Sequence, residues 1–314
     1  MEFIMTTIEK LKKERHKVIV GQESMIDSLL IALLCDGHVL VEGLPGLAKT
    51  LMVKTLAQSF GLNFKRVQFT PDLLPSDIIG SEIYNPKTSE FSIKKGPIFT
   101  NILLADEINR APAKVQSALL EVMAEKQVTI ADNSYVLTPP FITLATQNPI
   151  EQEGAYNLPE AQLDRFLLKI KVSYNSKEEE KKIMQLNFDK NPPVIKNIIN
   201  LKTLTNLKNK VEKIHIDEEL KDYIVDIIDF TRNPSGKVKE LLEYGASPRA
   251  TMALYKASKA NAFLNSRDFV TPVDIALLAK DVLRHRLVLS YDAISEEISS
   301  DEVIDMIIES IPLP

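Results

Sequence analysis

The chain has 314 residues, 45% hydrophobic and 26% charged, enough for two domains and a sizeable core. A formal net charge of −5 excludes a global basic field for holding nucleic acid, although a local basic patch stays open. The single Cys35 excludes an internal disulfide framework and fits a reducing compartment, and His16, His38, His215 and His285 are too scattered for a structural zinc site.

Residues 6–17 carry sparse apolar positions among charges and predict an amphipathic helix. Val18-Ile19-Val20-Gly21-Gln22 interrupts that pattern before helical spacing resumes over 24–35. The interruption reads equally as a plain helix–helix connection or as a cup for an adenine ring. The apolar run 38–41 predicts a buried strand. It leads into Gly43-Leu44-Pro45-Gly46-Leu47-Ala48-Lys49-Thr50 and a helix beginning at Leu51 and running to residue 60. Strand, glycine turn and Lys-Thr at a helix start form the layout of a phosphate-binding loop. Backbone N–H groups and the helix dipole favour an anion there; Lys49 reaches phosphate oxygens and the Thr50 hydroxyl ligates Mg²⁺. The usual glycine before the lysine is Ala48, a small residue at the helix entry. A tight turn capping a helix accounts for the same residues less well, because strand and helix flank them as the loop requires.

Further strands are predicted over 64–69, 101–105, 141–145 and 167–172, with a helix over 113–124 and hairpin-like inserts over 81–99 and 127–137. Apolar strands alternating with helices predict a parallel five-stranded sheet covered on both faces. Past residue 176 the pattern becomes helical, over 177–190, 217–232, 248–264 and 271–289, with turns at Asn191-Pro192-Pro193 and Asn233-Pro234-Ser235-Gly236. The expected division is therefore a nucleotide-binding αβα domain over 1–175 and an all-helical domain over 176–314.

The strand 101–105 ends in Asp106-Glu107, at the carboxyl end where open α/β sheets bind ligands. Asp106 is the expected Mg²⁺ residue, and Glu107 the residue that orients the attacking water. Two helix-capping acids are the plainer alternative, disfavoured by the loop one strand earlier. Asn148 ends the next strand and reads either as a contact to the water or γ-phosphate or as an Asn-Pro turn. Arg165 and Arg249 are candidates for phosphate oxygens, with surface ion pairs as the default reading.

Taken together, Gly43 to Thr50 with Ala48 before the lysine, Phe69-Thr70-Pro71-Asp72-Leu73-Leu74-Pro75-Ser76-Asp77, Ala105-Asp106-Glu107-Ile108-Asn109-Arg110-Ala111, Ala145-Thr146-Gln147-Asn148-Pro149, Leu158-Pro159-Glu160-Ala161-Gln162-Leu163-Asp164-Arg165-Phe166 and Ser247-Pro248-Arg249-Ala250 resemble the MoxR family of AAA+ ATPases over nearly the whole chain. The resemblance implies an AAA+ P-loop αβα sandwich followed by a small helical lid, ATP and Mg²⁺ as cofactors, and assembly into hexameric rings. It also implies nucleotide contacts from Val20, Gly21, Gln22 and the run Gly43 to Leu51, with Asn148 as the first sensor and Arg249 as the lid sensor on the γ-phosphate. Arg165 is implied as an arginine finger on a neighbour's ATP, with Arg110 as its rival. Loss of the γ-phosphate contacts would let the lid turn. The family's work is chaperone-like maturation, with metal or cofactor insertion or complex assembly on a protein client, often beside a von Willebrand factor A-domain partner.

Two other classes are weighed against this. A nucleic-acid motor fits the two inserts, but the acidic net charge and a second hairpin with no Lys or Arg in its tip oppose it. A nucleotide-binding scaffold with little turnover is opposed by Glu107, since a pure switch needs no water-polarising acid. No stretch has the design of a signal peptide, and the apolar run 26–35 is too short to span a bilayer, so a soluble cytoplasmic protein is expected.

Overall fold

The computed structural model describes residues 10, 19–43, 49–148, 156–188 and 197–314. Almost all of the helix expected over 6–17, the loop residues Leu44, Pro45, Gly46, Leu47 and Ala48, Val18, Pro149 and the turn Asn191-Pro192-Pro193 lie outside the described residues.

The strands in chain order are β1 (Val39–Gly43), β2 (Phe64–Gln68), β3 (Gly80–Asn85), β4 (Glu90–Lys95), β5 (Ile102–Asp106), β6 (Gln127–Ile130), β7 (Asn133–Val136), β8 (Ile142–Gln147) and β9 (Leu168–Val172). Five of them form one parallel sheet in the order β2-β5-β8-β1-β9. The expected inserts are the antiparallel hairpins β3–β4 and β6–β7.

Period-two alternation explains the three layers. Val39 and Val41 of β1, with Ile102 and Leu104 of β5, join one buried cluster, whereas Leu40, Leu103 and Ala105 join the other. Each face is covered by helices, so these strands read as unbroken apolar runs. The first cluster does not stop at the sheet. It continues through the helix Glu23–Leu34 into Ile224, Ile227, Leu254, Ala257 and Ile275 of the carboxyl-terminal helices.

Register sets the functional edge. Gln68 pairs with Asp106, Ala105 with Ala145 and Val41 with Thr146, which puts Gln68, Asp106, Thr146 and Val41 in one row at the carboxyl ends. Burying Ile102, Leu103 and Leu104 contributes about 1.5–3 kcal/mol each, against about 0–1 kcal/mol for an exposed ion pair. Packing of β5 therefore fixes Asp106, and its ion pair with Arg66 only orients it.

The helices expected over 217–232 and 248–264 appear as Glu218–Arg232, preceded by Asp217, and Pro248–Leu264, capped by the Ser247 hydroxyl accepting from the Arg249 N–H. The helix expected over 271–289 is shorter. Pro272–Leu283 ends where the Arg286 side chain donates back to the Val282 carbonyl, and Val288–Leu289 (β11) pairs antiparallel with Leu242–Tyr244 (β10). The helical lid thus carries one small ribbon. Four further helices, Leu201–Glu212, Val238–Leu241, Tyr291–Ser295 and Ser300–Ser310, lie where the sequence pattern predicts none. Among the described residues, no helix is long and apolar enough to cross a membrane.

His38 ties β1 to its neighbours at the amino end. Its Nδ1 accepts from the Thr143 N–H at 2.9 Å, so its Nε2 carries the hydrogen and donates to the Met123 carbonyl at 3.0 Å. Burial lowers its pKa from 6.5 to about 4. The unfolded chain therefore takes up this proton first as pH falls. Stability present above 6.5 is expected to drop, by on the order of 3 kcal/mol, between pH 6.5 and 4. Urea unfolding across that range checks this: His38→Gln should flatten the profile relative to the parent, and an identical slope would remove His38 as its source.

Candidate active site and an opposing arginine rim

The chemistry expected of the loop and strand ends meets at the carboxyl edge of the sheet. Lys49 opens the helix Lys49–Ser59, and its Nζ donates to the Gly43 carbonyl at 2.6 Å. Burial pulls its pKa below the usual lysine range, and the nearby Asp106 and Glu107 carboxylates oppose that shift. Thr50 and Leu51 occupy the same first helical turn. Asp106 Oδ2 accepts from Arg66 Nη2 at 2.6 Å and Nε at 3.0 Å, and Oδ1 accepts from the Thr146 hydroxyl at 2.6 Å.

Glu107 leaves the strand through a left-handed backbone, φ 57° and ψ 51°. A non-glycine residue pays roughly 1–3 kcal/mol for that conformation. Its N–H donates to Thr146 Oγ1 at 2.8 Å, which holds the kink. The carboxylate then accepts from Gln68 Nε2 at 2.8 Å and from Arg110 Nη1 at 3.0 Å, both on Oε2. Asn148 is buried directly after β8. On the outer side, Gln22 Nε2 donates to the Ser173 carbonyl at 2.7 Å and to Asn175 Oδ1 at 2.9 Å, so Val20, Gly21 and Gln22 lie beside the carboxyl end of β9. Gly21 has φ +72°, and a Cβ there would sit 2.6 Å from Glu179 Oε1.

The two remaining candidates lie at the other end. Arg165 precedes β9 and donates from Nη1 to the Leu120 carbonyl at 2.6 Å. Arg249, in the first turn of Pro248–Leu264, is exposed, with Nη1 3.9 Å from Asp164 Oδ2. Gly43 and Leu168 mark opposite ends of the paired strands β1 and β9, four residue steps or about 13 Å apart, further than an arginine side chain spans. Arg249 is therefore remote from its own chain's Lys49. A cavity of about 480 Å³ opens at this rim, lined by Arg165, Arg249, Lys126 and Lys256 among others. Cys35 also faces it, but burial pushes its thiol up to about 12, which suits a small packing residue and no nucleophile.

Arg110, the rival finger, is paired with Glu107 of its own chain. Arg66, Gln68 and Thr146 join the carboxyl edge without a motif of their own. Their only sequence signal is a polar residue in or at the end of a strand, and, apart from the local Arg66–Gln68 bond, their carboxylate partners lie 39 or 40 positions away.

A parallel sheet with a lysine-bearing helix start beside two strand-end carboxylates defines an AAA-type nucleotide-binding core with a lid. In agreement, residues 38–168 match the model of the ATPase family associated with various cellular activities (AAA), and residues 236–307 match that of the AAA lid domain. Chaperone MoxR1 of Mycobacterium tuberculosis is 47% identical over 98% of this chain and 82% of the relative. Protein MoxR of Paracoccus denitrificans is 31% identical over 95% of this chain and 93% of the relative. A solved structure from Cytophaga hutchinsonii superposes with a TM-score of 0.93 at 47% identity, covering 99% of this chain and 96% of that one. The chain belongs to the MoxR family of AAA+ ATPases.

Proposed function

We infer that this chain is a cytoplasmic, Mg²⁺-dependent ATP hydrolase with its core over 1–175 and its lid over 176–314, active in a head-to-tail homo-oligomeric ring, expected to be hexameric. The observation that carries this reading is the split between two edges: Lys49, Asp106 and Glu107 at the carboxyl ends, Arg165 and Arg249 at the amino-end rim. Neither arginine reaches its own chain's Lys49, so each serves a neighbour's nucleotide or none.

The chain's residues divide the work. The backbone of the run 43–48 and the Lys49 ammonium bind the phosphates. Glu107, held on one oxygen by Gln68 and Arg110, orients the water that adds to the γ-phosphorus. The bond to the β–γ bridging oxygen breaks, leaving ADP and inorganic phosphate. Asn148 contacts that water or the γ-phosphate. Arg165 and Arg249 of the adjacent chain offset the charge spread over the γ-phosphoryl oxygens.

The Thr50 hydroxyl and the Asp106 carboxylate are hard oxygen donors that suit Mg²⁺, which takes few protein ligands. Among the described residues no group of three or more His, Cys, Asp or Glu stands at metal-binding spacing, so phosphate oxygens and water complete such a site. The ion neutralises charge on the phosphates when bound.

Chaperone-like remodelling of a protein client, including metal or cofactor insertion or complex assembly with a von Willebrand factor A-domain protein, is the family-level output that we extend to this chain.

Steady-state ATPase activity per chain, measured over a wide range of protein concentration, tests this. Specific activity should climb with concentration as shared sites assemble. Appreciable activity in chains verified as monomers would refute the shared site.

A further inference from the structure

The four residues before β9, Asp164 to Leu167, carry the candidate finger, and the lid holds the Asp164 carboxylate and the carbonyls of Asp164, Phe166 and Leu167. Arg286 does most of this. Its Nε donates to Asp164 Oδ1 at 2.7 Å, Nη2 to the Phe166 carbonyl at 2.6 Å and the Asp164 carbonyl at 3.4 Å, and Nη1 to the Leu167 carbonyl at 3.3 Å. His285 Nε2 adds a second contact to the Phe166 carbonyl at 3.1 Å. The Arg286 side chain is only 2% exposed.

Asp164 is the junction. Besides Arg286, its Oδ2 accepts from the Ser247 hydroxyl at 2.7 Å, and Ser247 is the N-cap of the helix carrying Arg249. The neighbour of Asp164 in sequence is Arg165. One carboxylate therefore joins the segment bearing one candidate arginine to the helix start bearing the other, with a buried guanidinium as the fixed point.

Packing alone does not call for this arrangement. A buried arginine is costly unless its fork is fully satisfied, and here, besides the Val282 carbonyl that ends its own helix, the fork is given to the Asp164 carboxylate and to three carbonyls of one short segment. Lysine supplies a point charge and cannot hold several acceptors in fixed geometry.

We propose that Arg286, through Asp164, is a positioning residue that holds Arg165 and Arg249 in one geometry for the adjacent chain's nucleotide. This rests on the shared-site reading above. Displacement of a reacting group by about 1 Å costs roughly 10²-fold in rate, so Arg286→Lys should lower turnover by about that much. It should leave the affinity of the same chain for ADP, and its assembly, unchanged. Combined with Arg165→Ala, it should add no further loss.

Mixing chains separates the outcomes. A Glu107→Gln chain keeps its arginine rim but does not hydrolyse; an Arg286→Lys chain keeps its own loop and carboxylates. Co-assembled, they should regain turnover about tenfold or more above either alone, because the first lends its rim to the second. Arg165→Ala mixed with Glu107→Gln is the control. If the control recovers and the Arg286→Lys mixture does not, this inference falls and the shared site stands. If the control itself fails to recover, the shared site falls, and this inference with it. Should Arg286→Lys lose its cooperative melt, Asp164→Asn in the same mixture decides by the same criteria.

Discussion

Replacing Arg165 with alanine is expected to lower ATP turnover by roughly 10³–10⁵-fold, the range of an arginine supplied by a neighbour. That corresponds to about 4–7 kcal/mol of lost transition-state stabilisation. The structural role of Arg165 within its chain is small by comparison. Its guanidinium donates to the Leu120 carbonyl, a bond worth roughly 1.5–3 kcal/mol for a charged donor. A rate loss in the upper range with an unchanged melt therefore separates the two roles. Because Lys49, Asp106 and Glu107 sit at the other end of the sheet, binding of ADP to the isolated variant should match the parent. Single-turnover hydrolysis at saturating nucleotide, alongside equilibrium ADP binding, checks both. A loss below about tenfold would assign Arg165 to packing.

Glu107→Gln is the second large effect, about 10²–10⁴-fold in turnover with ATP binding retained. The substitution keeps the shape and one carbonyl oxygen. Gln68 and Arg110 both donate to a single oxygen of Glu107, so the side chain should stay in place while its charge and basicity are lost. Removing a negative charge beside phosphates should leave ATP affinity equal or higher. Unchanged turnover would transfer the water-orienting role to another residue.

Much of this site is legible in the sequence because its parts are local. Four apolar residues followed by Asp106-Glu107 specify a buried strand with carboxylates at its exit, and both lie where expected. Lys49-Thr50 at a helix start is equally local. The register row of Gln68, Asp106 and Thr146 is not, since it needs three strands from separate parts of the chain. Arg249 illustrates the same limit. Its motif identifies the residue, but where it lies depends on how Arg284, His285 and Arg286 dock the lid against β9, with Arg284 donating to the Lys169 carbonyl. Those side chains end a helix that periodicity alone carries on to residue 289, so tertiary bonds override the local pattern there.

On the proposed shared site, carboxylates and arginines at opposite ends of one sheet restrict the symmetry of an active assembly. A two-fold dimer completes its sites only where one interface patch holds both the loop edge and the rim, so that each meets the other reciprocally. Where loop and rim lie on separate patches, a heterologous contact joins one chain's loop to the next chain's rim. Such contacts either close into a ring or run on as an open filament. Every open assembly ends with one loop lacking arginines and one rim lacking a nucleotide, whereas closure alone gives every chain a complete site.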